Sequence, residues 1–146
     1  MTVDYPENMP MRRALALATL MSLAAGAAGA ETWTKYTDAA GGTAWSYDSD
    51  YTYKDKASGR LVVMQAVSKP ASNLGPGAPG KADGVGSVVA IDCAMKNMIS
   101  MASYKPSQAL TIADTWRRNS PKKAEGTENA ALLAAVCPHI DHVPVK

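Results

Sequence analysis

Through much of this chain apolar and polar side chains alternate with period two, the pattern of strands that turn one face toward a core. Thr32 to Thr37 places Trp33 and Tyr36 among polar residues, and the turn formers Asp38 to Gly42 separate it from Thr43 to Asp48, with Trp45 and Tyr47 on one face. These two runs predict a first hairpin. Tyr51 to Lys54, the polar break Asp55 to Gly59 and the apolar run Leu61 to Val67 predict a second. Leu61 to Val67 is apolar on both faces, which places it in the middle of a sheet.

The alternation resumes over Val85 to Asp92, with Val89, Ile91 and Cys93 on one face. Met98 to Tyr104 and Ala109 to Trp116 predict two more strands, Leu110, Ile112 and Trp116 sharing a face in the second. Between the two halves, Lys69 to Gly86 sets Pro70, Pro76 and Pro79 among five glycines with few apolar side chains to bury. That composition predicts a mobile loop, which can be a binding element or a slack connection.

The period changes once more at the end of the chain. Thr127 is placed to cap a helix beginning at Glu128, and Ala130 to Val136 is an Ala/Leu run of high helix propensity. Ala130, Leu133 and Cys137 fall on one face of that helix. The fold class expected is α+β: an antiparallel meander of about six strands with a C-terminal α-helix packed on it.

The N-terminus alters the domain count. Met11-Arg12-Arg13 precedes the short apolar run Ala14 to Leu23, and small residues close it at Ala28-Gly29-Ala30, so cleavage is expected between Ala30 and Glu31. The run is too short for the ~20 apolar residues of a membrane span, so no transmembrane span is expected after cleavage. Met1 to Pro10 holds two acids and no base, a poor lead-in for such a signal, and Met11 is the better translation start. Three segments follow: 1–30 as extension plus signal, 31–138 as one domain, and 139–146 as a solvated tail. No Cys stands at Glu31 to carry a lipid.

Composition excludes one class of partner. The 15 basic and 13 acidic side chains leave a net charge of +2, and beyond the signal-like segment the bases are scattered apart from Arg117-Arg118 and Lys122-Lys123, so no nucleic acid is expected. The chain's two cysteines allow one pairing, and in an oxidising compartment Cys93 and Cys137 are expected to form a disulfide. Closing a loop of about 45 residues contributes on the order of 4 kcal/mol by the chain-entropy relation. The bond would fasten the closing helix to the strand that ends at Ile91. A redox thiol is the less favoured reading, since no Cys-x-x-Cys occurs.

Candidate chemistry is sparse. The only histidines, His139 and His142, stand in the tail beside Asp141 as His-x-x-His; a metal contact there is weighed against simple solvation, which is preferred. Asp48 and Asp50 read as turn residues rather than a carboxylate pair, and Asp92 as a solvated or locally accepting acid. Met64, Met95, Met98 and Met101 read as core fillers before a soft-metal site. No catalytic residue, metal ligand or cofactor is assigned, and the chain is read as not an enzyme. The aromatics Trp33, Tyr36, Trp45, Tyr47, Tyr51 and Tyr53 read first as sheet core and second as anchors for a protein partner.

Trp33 after the signal, Tyr47-Asp48 with the hairpin to Gly59, Leu61 to Val67, Ile91-Asp92-Cys93, Trp116 and the closing Ala135-Val136-Cys137 together resemble the surface-adhesin protein E-like family of Gram-negative bacteria. The resemblance implies a helix fastened across an antiparallel sheet, location in the periplasm or on the outer cell surface, and contact with a host matrix or envelope protein. It also implies a capacity to form a homodimer. The expectation is a non-catalytic exported binding module acting through a sheet face or the Lys69 to Gly86 loop. The alternatives are a periplasmic structural or stress-related protein without host ligand, and a metal-binding envelope protein.

Overall fold

A computed structural model divides the chain into the units Met1–Ala30 and Glu31–Lys146. It describes residues 32–69, 73–75 and 83–146. The expected cleavage point Ala30–Glu31 and most of the proline- and glycine-rich stretch lie outside the described residues.

Seven strands form one antiparallel sheet: β1 (Trp33–Asp38), β2 (Ala44–Asp48), β3 (Tyr53–Lys54), β4 (Leu61–Ser68), β5 (Val85–Asp92), β6 (Asn97–Tyr104) and β7 (Lys122–Lys123). The order across it is β1-β2-β4-β5-β6-β7. Both β2 and β3 lie along the same flank of β4: Tyr47 is opposite Gln65 and Tyr53 opposite Val62. The interruption between them is fixed by Asp48, whose Oδ1 accepts the backbone N–H of Asp50 at 2.9 Å and of Tyr51 at 3.3 Å. A carboxylate that bonds backbone donors two and three residues on is a turn device. Across the first hairpin the register slips between Lys35 and Thr37, and Lys35 Nζ reaches Asp38 Oδ1 at 2.5 Å.

β4 and β5 pair over seven residues from Leu61–Ile91 to Val67–Val85, and they form the buried centre. Gly86 has a specific reason to be glycine: a Cβ there would collide with the Gln65 carbonyl. Alternation splits the central side chains between two clusters. Val62, Met64, Ala66, Val88 and Ala90 face one side with Trp116 and Tyr104, while Leu61, Val63, Val89 and Ile91 face the other with Leu132 and Val136. The second layer is the helix α1 (Thr127–Val136), which follows Gly126 at φ 92° and is extended by a 3₁₀ turn at Cys137–His139. Cys93 and Cys137 are joined by a disulfide with Cα atoms 5.8 Å apart, so the expected tie between strand end and helix is present.

Three expectations are corrected. Ala109 to Trp116 is not a strand: it runs as an irregular strap whose Leu110, Ile112 and Trp116 nevertheless share a face, against the first cluster. The flank of β6 is taken instead by the two-residue β7, through Asn97–Lys123 and Met98–Lys122. Thr127 is the first residue of the helix rather than its cap, and no side chain caps that end. The tail is not simply solvated, because Val145 bridges Lys54 in parallel and the Lys54 and Lys56 amides donate to the Pro144 and Lys146 carbonyls at 2.8 and 2.7 Å.

Within Lys69 to Gly86, the described part is better anchored than its composition suggests. Leu74 is 5% exposed in the first cluster, and Val85 and Gly86 already belong to β5.

Candidate functional site

Each buried acid has a structural task. Asp55 is 3% exposed, yet its carboxylate accepts four bonds. Arg117 donates Nε at 2.9 Å and Nη2 at 2.5 Å, and Ser58 donates its amide at 3.0 Å and its hydroxyl at 2.5 Å. The Arg117 bonds lead in holding the Asp55 carboxyl down at about 2; burial pushes against them, and the Ser58 bonds add to them. The ion pair clamps the end of the strap to the β3–β4 turn, and the guanidinium also lies 4.6 Å from the centre of the neighbouring Trp116 ring, which orients it. This clasp was missed in the sequence: Asp55, Ser58 and Gly59 signal a turn, but nothing local points to a guanidinium 62 residues away.

The sheet face beneath the helix carries a polar chain. The Tyr36 hydroxyl donates to Gln65 Oε1 at 2.7 Å, and Gln65 Nε2 donates to Ser87 Oγ at 3.3 Å. Burial, with the Glu128 charge second, raises the Tyr36 phenol well above its ordinary value, so it stays a neutral donor. Burial likewise pushes Tyr51 up to about 12, with Tyr53 and Asp48 adding to the effect.

The residues singled out for chemistry do not converge. Met64 and Met101 are buried in the first cluster, Met98 packs against the second on the opposite face, and Met95 is 71% exposed. His139 and His142 are both exposed and linked through backbone, the His142 amide donating to the His139 carbonyl at 2.9 Å. His139 lines a small cleft of 220 Å³ with Tyr47, Thr52 and Val143. Asp50 Oδ2 accepts the Thr32 hydroxyl at 2.5 Å. Among the described residues no three His, Cys, Asp or Glu side chains are grouped so as to hold a metal ion, and no helix is long and apolar enough to cross a membrane.

An apolar concavity stands at the disulfide. Asp92 Oδ1 accepts the amides of Ala94 at 3.1 Å and Met95 at 2.9 Å, closing the turn from β5 into β6. That turn ends on Lys96 at φ 53°, and the Lys96 carbonyl accepts the Ala124 amide at 2.9 Å, drawing in the segment that leads to α1. Between turn and helix lies a cleft of 540 Å³ lined by Cys93, Lys96, Ala130, Leu133, Cys137 and Pro138. A second cleft, of 350 Å³, is lined by Val89, Met98, Asn129, Lys122 and Lys123. Volumes of this order suit recognition of a side chain or a small apolar group. Cys93 and Cys137 are thus brought together as expected. Their neighbour Lys96 escaped notice, because a positive φ leaves no mark in composition when the residue is not glycine.

Comparison with protein-family models, with curated proteins and with solved structures finds no match.

Proposed function

We propose that this chain is a non-catalytic exported binding module, of the kind its resemblance to the surface-adhesin protein E-like family implies, that contacts a protein at the cell envelope or in the host matrix. The observation that carries the reading is the apolar cleft beside Cys93–Cys137. Its helix wall presents Leu133, half-buried, and Ala134, exposed, and the disulfide holds that wall against the turn. A rigid apolar concavity suits protein contact because little ordering remains to be done when the partner arrives.

Two further features support it. The buried acids Asp48 and Asp55 are engaged by backbone amides and by Arg117, which are scaffold duties. The disulfide is compatible with an oxidising compartment, in keeping with the signal-like Met11 to Ala30. The test is capture of the full exported chain on immobilised matrix glycoproteins and solubilised envelope fractions, run beside Ala134→Glu, a change on an exposed helix position. Retention of the wild type and at least a tenfold loss for the variant is the expected result. Recovery of nothing, or equal recovery of both, overturns it.

A further inference from the structure

Lys96 is the only non-glycine residue in the left-handed region among the described residues. A side chain with a Cβ is disfavoured there, and glycine or asparagine would fit the turn with less strain. The same residue supplies the one charged side chain lining the 540 Å³ cleft, whose other walls are Ala124, Ala130, Leu133, Ala134, Pro138 and the disulfide. The strained position therefore sets a lysine in the wall of an apolar concavity. Two more lysines stand at the same corner of the sheet: Lys123 is paired with Asn97, the next residue after Lys96, and Lys122 with Met98. They border the second cleft. Nearby acids do not cancel this charge by pairing: Asp92 Oδ1 is held by turn amides, and neither Asp92 nor Glu125 forms an ion pair with a lysine among the described residues.

We propose that the cleft between the Cys93–Lys96 turn and α1 takes an apolar side chain of a protein partner whose sequence neighbour is a carboxylate, with Lys96, Lys122 and Lys123 meeting the acid. This rests on the binding-module reading above and names the chemistry of the partner. The choice follows from charge complementarity: apolar walls without a cation would accept any greasy residue, whereas a lysine rim discriminates against basic flanks. Met95, 71% exposed at the tip of the same turn, adds an adaptable apolar contact at the margin.

The test titrates ¹⁵N-labelled protein with four octapeptides. One holds a leucine flanked by glutamates, one a leucine flanked by serines, one a leucine flanked by lysines, and one glutamates without leucine. The acidic leucine peptide is expected to shift the amides of Lys96, Leu133 and Ala134 and to bind most tightly of the four. Lys96→Gly removes the ammonium and relieves the backbone, so it should weaken that peptide about threefold to fivefold while unfolding no earlier than the wild type. A merely structural lysine would not separate those two readouts. Equal or tighter binding of the lysine-flanked peptide, shifts confined to other surfaces, no shifts at all, or an affinity unchanged by Lys96→Gly overturns the proposal. If leucine peptides enter the cleft whatever their flanks, the partner chemistry fails while the binding-module reading stands; failure of that reading shows separately, in the capture experiment.

Discussion

Asp55 and Arg117 illustrate how one ion pair can hold two distant segments and also set a pH limit. The pair is bidentate and rests on a buried carboxylate, so it differs from the surface ion pair Lys35–Asp38, which contributes little. Because the folded-state carboxyl is held down at about 2, below its ordinary value of 3.8, its contribution is complete above that ordinary value. It then declines as pH falls from about 4 to about 2. Asp55→Asn should lower stability by about 1–3 kcal/mol at pH 7, with the gap from wild type narrowing at pH 3. Urea unfolding midpoints at both pH values check this; a gap that is constant with pH would assign the effect to packing instead.

At the scale of the element, the helix is held by a covalent tie and by burial. Leu132 and Val136, one turn apart, are 0% and 2% exposed against Val63, Val89 and Ile91. The disulfide closes a loop across 44 residues of sequence separation. Replacing Cys93 and Cys137 together by serine should cost about 4 kcal/mol in guanidinium unfolding, while circular dichroism keeps its helical signal because Leu132 and Val136 still dock. Loss of that signal in the native baseline would mean that the bond, not the burial, holds the helix.

The elements also show what could be read in advance. β1, β2, β4, β5, β6 and the helix announce themselves, since period-two and Ala/Leu patterns record burial residue by residue. The same record misleads over Ala109 to Trp116, because Leu110, Ile112 and Trp116 do face one way, yet toward a sheet face and not along a ladder. Alternation reports which way side chains point and says nothing about whether the backbone finds a partner. β7 escapes for the opposite reason: two lysines that pair with β6 have no apolar signature at all. At the candidate site, the cysteine pair was legible from number alone, while Lys96 and the cleft depend on how turn and helix meet in space.

For the molecule as a whole, the C-terminal residues complete the sheet margin. From α1 the chain passes through the 3₁₀ turn and returns to β3, where Val145 lies beside Lys54 and the Lys146 amide donates to the Lys54 carbonyl at 3.0 Å. β3 is only two residues long, so these bonds supply much of what holds its outer side. Deleting residues 143–146 should speed hydrogen exchange at the Lys54 and Lys56 amides more than tenfold and lower stability by about 1–3 kcal/mol. Unchanged exchange at those two amides would show that the tail's contacts are not formed in solution.

The slipped register and charged pair of the first strand, together with the twin lysines of the last, bear on how a second strand could join either margin of the sheet. A neighbour zipping onto the β1 margin would have to accommodate one residue too many and desolvate Lys35 and Asp38. One joining at the β7 margin would bring like charges together. Edge-to-edge pairing is thereby discouraged at both margins of the sheet.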